Sequence, residues 1–202
     1  MVEVAAVGLM RGGARARMLE AAEVCLIRDG FAALSTRAVA LAAGTQLSQI
    51  HYHFGSKQGL LLALLEHQNQ KLLKRQSQMF GADVPLSARW NQACDFLEED
   101  LASGYVRVLQ EIVSAGYAER ALAVGAREAL AGWFVLLTQV SAEARAAFGG
   151  PEGIATEELG TLVGLVFLGA ETMLLLGMDL PIMDALRSVS RTLERLEARH
   201  AP

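Results

Sequence analysis

The stretch Gln46–Lys57, QLSQIHYHFGSK, concentrates side chains able to do chemistry. Gln49, His51, Tyr52 and His53 supply donors, acceptors and rings, and no Asp or Glu interrupts them. Metal binding is one use of paired histidines, but on a helix two residues so spaced turn away from each other and cannot share an ion. His67 and His200 are remote, and the chain carries no HExxH, no GxSxG and no phosphate-cradling glycine loop. Cys25 and Cys94 lie far apart in apolar patterns, with neither metal spacing nor a disulfide framework. The run Glu98, Glu99, Asp100 is consecutive, so it fans around a helix as a solvated face would. These features argue against an enzyme, a cofactor or a bound metal. A polar, acid-free patch suits contact with a polyanion, since Asp or Glu would repel phosphates.

Short helices must position these groups. Residues 36–43 carry Val39, Ala40 and Ala43 at helical spacing, and Ser35 sits where an N-cap belongs. Gly44 follows, where a left-handed backbone is cheapest. A second helix, about 47–53, turns Ile50 and Phe54 inward at i and i+4 and leaves the polar groups outside. A helix, a glycine-containing turn and a second helix with polar, non-acidic groups form a helix-turn-helix, in which the second helix enters a major groove. A preceding helix, about 15–29, stripes Met18, Ala21, Ala22, Cys25 and Leu26, and ends at Gly30. Ser56 can cap a long helix over 57–79, whose leucines pair on one face from Leu60 to Leu73. Such a helix is stiff enough to serve as a lever between a reading head and whatever follows.

Composition bounds the rest. The chain has 202 residues, is 52% hydrophobic and holds only 4 Pro, which fits a buried, mostly helical core. Its net charge of −4 is unevenly spread. Residues 1–80 hold 9 Lys and Arg against 5 Asp and Glu, whereas residues 81–202 hold 9 against 17. A basic head on an acidic body matches a DNA-binding domain joined to a domain with another task, although solvated faces also fluctuate by chance. The arm at 1–13 ends in Arg11, Arg15 and Arg17, placed to touch phosphates or a minor groove. Glu3 precedes its apolar run where a signal peptide would be positive, and Leu162–Leu176 is interrupted by Glu171 and short for a bilayer. A cytoplasmic protein with no membrane partner is expected.

Beyond a linker at Gly81–Pro85, helices are expected near 87–103, 105–116, 121–148, 156–177 and 181–199, with a stop at Gly149, Gly150 and Pro151. The fold class is therefore all-α, of about nine helices. An N-terminal helix-turn-helix domain (1–58) precedes a helical effector-binding and dimerisation domain (59–202). The last two helices are the most apolar. Leu159, Val163, Val166 and Phe167 share a face on one; Leu186, Val189 and Leu193 repeat on the other. Such a pair either packs internally or completes a four-helix bundle with a symmetry mate, and these residues are the expected homodimer interface. Gly160 and Gly164, four apart, mark a close helix approach.

The stretch from Arg15 to Leu65 resembles the TetR family of one-component bacterial regulators. Its markers are Asp29, Gly30 and Phe31, then Ser35 and Thr36, then Ala43 and Gly44, and above all IHYHFGSKQGLL at 50–61. The resemblance implies that Thr36 and Arg37 meet phosphates or a base edge, with Arg15 on the arm. Gln46, Leu47, Ser48 and Gln49 would face the major groove, Gln49 able to pair with adenine and Leu47 to touch a thymine methyl. It further implies that His51, Tyr52 and His53 anchor the sugar–phosphate backbone and that Lys57 reaches it from the fourth helix. The sequence departs from the family pattern at His51, where Tyr is usual, and at Thr45 and Gln46, which replace Val and Ser and remove the usual cap. The implied function is a ligand-responsive regulator of a palindromic operator, most simply a repressor released by a small apolar or amphipathic effector. An activator, or a regulator sensing a protein partner, fits the same residues, and a helical carrier or enzyme that binds no DNA is the remaining class. Trp90, Phe96, Tyr105, Trp133 and Phe134, with Glu111 as an acid on an otherwise apolar stretch, are the effector-site candidates, although core packing accounts for each aromatic more readily than ligand contact.

Overall fold

The computed structural model describes residues 13–80, 84–150 and 152–200. The expected arm at 1–12 with Arg11, linker residues 81–83 and the stop at Pro151 lie outside the described residues. Those described hold nine helices and no strand: α1 (Ala14–Ala33), α2 (Thr36–Ala42), α3 (Leu47–Phe54), α4 (Lys57–Phe80), α5 (Leu86–Ser103), α6 (Tyr105–Gly116), α7 (Arg120–Phe148), α8 (Thr156–Leu175) and α9 (Ile182–His200). Periodicity places all nine, with ends shifted by a residue or two except in α1. There the helix breaks at Gly30 (φ 75°, ψ 171°) and a further turn runs on to Ala33.

Packing divides the chain into two compact units, residues 1–68 with 108–127, and residues 69–107 with 128–202. This differs from a cut after residue 58, because α4, α6 and α7 each contribute to both units.

In the first unit α1 packs on α2, and α2 on α3. Met18, Leu19, Ala22, Cys25 and Leu26 of α1, Val39 of α2, Ile50 of α3 and Leu60, Leu61, Leu64 and Leu65 of α4 are almost wholly buried, with Ile112 and Leu122 from the second segment. Ser35 Oγ accepts from Ala38 N–H at 3.1 Å and Ser56 Oγ from Gly59 N–H at 3.0 Å, so the expected caps of α2 and α4 are in place. The α3–α4 corner is tight: a Cβ on Gly59 would lie 2.0 Å from the Phe54 carbonyl oxygen. Glycine is thus imposed at this position by the backbone opposite it.

In the second unit Cys94, Leu97, Val106, Trp133, Leu137, Phe167, Ala170 and Leu186 form the core. Phe167 is its hub, with ring centroids 5.5 Å from Trp90 and 6.5 Å from Trp133. Trp90 Nε1–H donates to Leu186 O at 2.6 Å, which satisfies its one polar group inside the core. The close approach marked by Gly160 and Gly164 is made to α7: a Cβ on Gly160 would sit 2.9 Å from the Thr138 backbone, and one on Gly164 2.3 Å from the Phe134 ring. Two polar clamps hold α9 on α5. Glu197 accepts from Ser87 N–H at 2.9 Å and Ser87 Oγ–H at 2.6 Å. Arg187 bonds Asp95 at 2.7 Å and Glu98 at 2.9 Å.

The structure differs from expectation at two points on the apolar helices. Phe167 and Leu186, expected at a dimer face, are buried in the chain's own core, because the glycine ridge brings α8 flush against α7. Arg120–Phe148 and Thr156–Leu175 are both long and apolar enough, by length and composition, to cross a membrane, contrary to the argument from the Leu162–Leu176 run. Each nevertheless turns one face into this core, through Trp133 and Leu137 on α7 and Phe167 and Ala170 on α8.

Two substitutions test this packing. Phe167→Ala should cost about 3–5 kcal/mol of unfolding free energy in urea, as expected for an aromatic removed from a core. Gly59→Ala forces a methyl against a backbone carbonyl, and should cost about 3 kcal/mol, the upper range for an overpacked site. Amide hydrogen exchange should locate that second loss in α3 and α4, with α5, α8 and α9 unaffected.

Candidate nucleic-acid interface

α3 is built so that one face is fixed and the other is free. Ile50 is fully buried and Phe54 nearly so, while Gln46, Ser48, Gln49, His51 and Tyr52 are exposed, and Leu47 and His53 are half-buried. The first turn holds no acid. Gln46 adopts the extended N-cap conformation (φ −82°, ψ 148°), yet its side chain makes no cap bond. That is the outcome expected where Gln stands in place of Ser. Thr45 N–H donates to Ala40 O at 2.9 Å and Gly44 takes φ 62°, closing the turn that sets α3 against α2.

The exposed residues differ in how they are held. Tyr52 is 82% exposed, and its ring meets His53 edge-on at 5.1 Å. His51 Nδ1 lies 3.0 Å from Gly55 O. A carbonyl only accepts, so His51 donates there through Nδ1–H and leaves Nε2 for another partner. Arg15 places its guanidinium 5.5 Å from the Phe54 ring centroid. The first turn of α1 therefore lies over the end of α3. Thr36 is half-buried and Arg37 exposed at the start of α2. Lys57 is placed differently from the others. Its Nζ donates to Phe31 O at 2.7 Å and stands 4.5 Å above the Phe31 ring, so the ammonium is engaged within the head. Among the described residues no group of three His, Cys, Asp or Glu is arranged to hold a metal ion.

Of the six effector candidates, five belong to the second unit and one to the first. Glu111 belongs to the first unit, where its carboxylate accepts from Phe31 N–H at 3.0 Å. Phe96 lies under the Arg75 guanidinium at 4.2 Å, in an ion pair of Arg75 with Asp100 at 2.5 Å. Burial raises the Asp100 carboxyl despite that arginine. Tyr105 is buried, and desolvation, with smaller contributions from Glu171 and Asp100, pushes its hydroxyl well above the usual phenol range. Trp133 is a core residue, and Phe134 is the ring that Gly164 packs against.

Trp90 alone of the six lines an open groove in the second unit, of about 370 Å³. Its other walls are Ala93, Leu137 and Val140, together with Leu159, Val163, Val166, Phe167, Val189 and Leu193 from the expected dimer set. The groove is apolar but for Ser141 and Arg89, and Arg89 is paired with Glu143 at 2.6 Å. Sequence reasoning missed that one surface joins Trp90 to the dimer candidates. Leu162, on the same apolar face in the sequence, is 48% exposed beside Val166 at 51%, and sequence reasoning missed Leu165, at 57%. The signal was present: both leucines lie on the α8 face opposite Gly160 and Gly164, the side left over once the glycines are spent on α7.

Comparison with known proteins bears on both parts. The model of bacterial regulatory proteins of the tetR family matches residues 18–64. No curated protein matches the chain. Among solved structures, a TetR transcription regulator from Haloarcula marismortui is 17% identical, with TM-score 0.73, over 89% of this chain and 95% of that one. The transcriptional regulator FadR from Bacillus subtilis, solved in complex with stearoyl-CoA, is 15% identical, with TM-score 0.70, over 88% and 96%. A TetR transcriptional regulator from Legionella pneumophila is 17% identical, with TM-score 0.70, over 91% and 98%. At such identities these structures speak to the fold, and they do so over nearly the whole chain. Residues 18–64 thus resemble the DNA-binding segment of bacterial regulatory proteins of the tetR family, and the all-helical fold is that of regulators so named over nearly the whole chain.

Proposed function

We propose that the chain is a sequence-specific, ligand-responsive transcriptional regulator that binds a palindromic operator as a homodimer and is released from it by a small apolar or amphipathic effector. The observation that carries this reading is the acid-free outer face of α3, with Gln46, Ser48 and Gln49 exposed behind the buried Ile50 and Phe54. In this reading Gln49 pairs with an adenine edge, Leu47 meets a thymine methyl, and Tyr52, His51, His53, Thr36, Arg37 and Arg15 contact the sugar–phosphate backbone. Two heads on one duplex must stand ~34–36 Å apart, or a multiple, to enter successive major grooves, so a symmetric dimer is required. The exposed strip of Leu162, Leu165 and Val166 on α8, with Val189 on α9, supplies an apolar surface for that dimer.

An apolar or amphipathic effector fits the aromatic and aliphatic character of the second unit, and the stearoyl-CoA bound by the Bacillus subtilis protein is of that class. Effector and DNA are coupled if the effector fits one conformation of the chain and the operator another. Each then weakens the other by the same factor. The helix α4, continuous from Lys57 to Phe80 and shared by both units, is the element best suited to transmit such a change. The working place of such a regulator is the cytoplasm.

The test is affinity for duplex DNA measured against salt. A palindrome enriched by the protein from a random-sequence pool should bind at least about a thousandfold more tightly than a mixed-sequence duplex, with affinity falling as salt rises. Gln49→Ala should narrow that ratio at one base pair per half-site by roughly 10-fold or more, about 1–3 kcal/mol. Equal loss on both duplexes would remove α3 from the groove, and salt-independent binding would remove DNA from the function. Long-chain acyl-CoA, added to the complex, should release it. For the dimer, Leu165→Arg should give monomers by light scattering, and a persisting dimer would move the interface off α8.

A further inference from the structure

Lys57 and Glu111 meet on a single residue, Phe31, at the bend of α1. Gly30 takes φ 75° and ψ 171°, a conformation open essentially to glycine alone, and the helical hydrogen-bond ladder is broken there. Phe31 N–H is thereby freed from its helical acceptor and needs another partner. Glu111 supplies it from α6, accepting at 3.0 Å, while a Cβ on Gly30 would lie 3.6 Å from the other carboxylate oxygen. From the first turn of α4, Lys57 Nζ donates to the carbonyl of the same residue at 2.7 Å and rests 4.5 Å over its ring. Both polar groups of one peptide residue are therefore held by opposite charges carried on two other helices. Each of these is a charge-assisted bond in a half-buried setting, the stronger kind.

From this arrangement we propose that Lys57 and Glu111 are positioning residues that fix the α1 bend against α4 and α6 and so set the pose of the reading helix, Lys57 acting as a strut within the head and not as a phosphate ligand. The inference rests on the DNA-binding reading above and deepens it. A lysine at the entrance of α4, so close to α3, would otherwise be counted among the backbone contacts. Its ammonium is anchored on a carbonyl and a ring, and swinging away from them to a phosphate would strip Phe31 O of its donor.

The two roles separate in a salt titration. The probes are the palindrome enriched by the wild-type protein and a mixed-sequence duplex of equal length. A lysine on a phosphate contributes about 0.9 to the slope of log affinity against log salt. Lys57→Gln removes the charge but keeps a donor for Phe31 O, so a strut predicts an unchanged slope and an unchanged ratio between the two duplexes. Glu111→Leu should lower that ratio about tenfold, the worth of one hydrogen bond to a charged group, again at constant slope. Glu111→Gln, which retains an acceptor oxygen, should restore it. A slope reduced by about 0.9 per head in Lys57→Gln would overturn the strut and make Lys57 a phosphate ligand. An unaltered ratio in Glu111→Leu would overturn the positioning role. Wild-type protein that binds both duplexes alike and without salt dependence would overturn the DNA-binding reading itself, a result distinct from either.

Discussion

An eight-residue helix does not persist in water on its own propensity. α3 is such a helix, and what holds it is the burial of Ile50 and Phe54 against the neighbouring helices of the head. Everything around it follows from that constraint. α2 is capped by Ser35, the corner to α4 is closed to the limit at Gly59, and Phe54 also carries the Arg15 guanidinium on its ring. The inward face thus spends its apolar residues on keeping the helix in place, and the outward face is free to be polar.

The second unit answers to a different constraint, close packing of α8 on α7. Gly160 lets backbone approach backbone and Gly164 admits the Phe134 ring, and Phe167 sits between two tryptophans. It also decides which residues remain outside. Once the glycine face is consumed within the chain, Leu162, Leu165 and Val166 are left on the surface, and the strip they form continues into the groove walled by Trp90. A helix with an apolar residue on almost every side therefore has two distinct jobs, one for each face.

Periodicity in the sequence was enough to place all nine helices, because apolar spacing and the Ser35 and Ser56 caps are local properties. The missing cap at Gln46 was legible for the same reason. What could not be read was which of two partners a residue takes. Gly160 and Gly164 announced a close approach, but only the three-dimensional packing makes Thr138 and Phe134 the neighbours and moves Phe167 and Leu186 from a shared face into the core. Glu111 stood out as an acid on an apolar stretch, yet its partner is 80 positions away in sequence. Lys57 looked free because its partner, a backbone carbonyl at Phe31, has no side-chain signature. The aromatics between Trp90 and Phe134 could not be sorted by type, since a core and a binding wall draw on the same residues.

Among the described residues no hydrogen bond ties the side chains of Gln46, Ser48 or Gln49 to a neighbour, and all three are exposed. Nothing in the scaffold depends on their identity. Mutation can therefore rewrite the three positions nearest a target base without charging the stability of the head, whereas any change at Ile50, Phe54 or Gly59 is felt at once by the fold. Drift at the outward positions would let descendants of one gene part company in the sites they read while keeping a common framework.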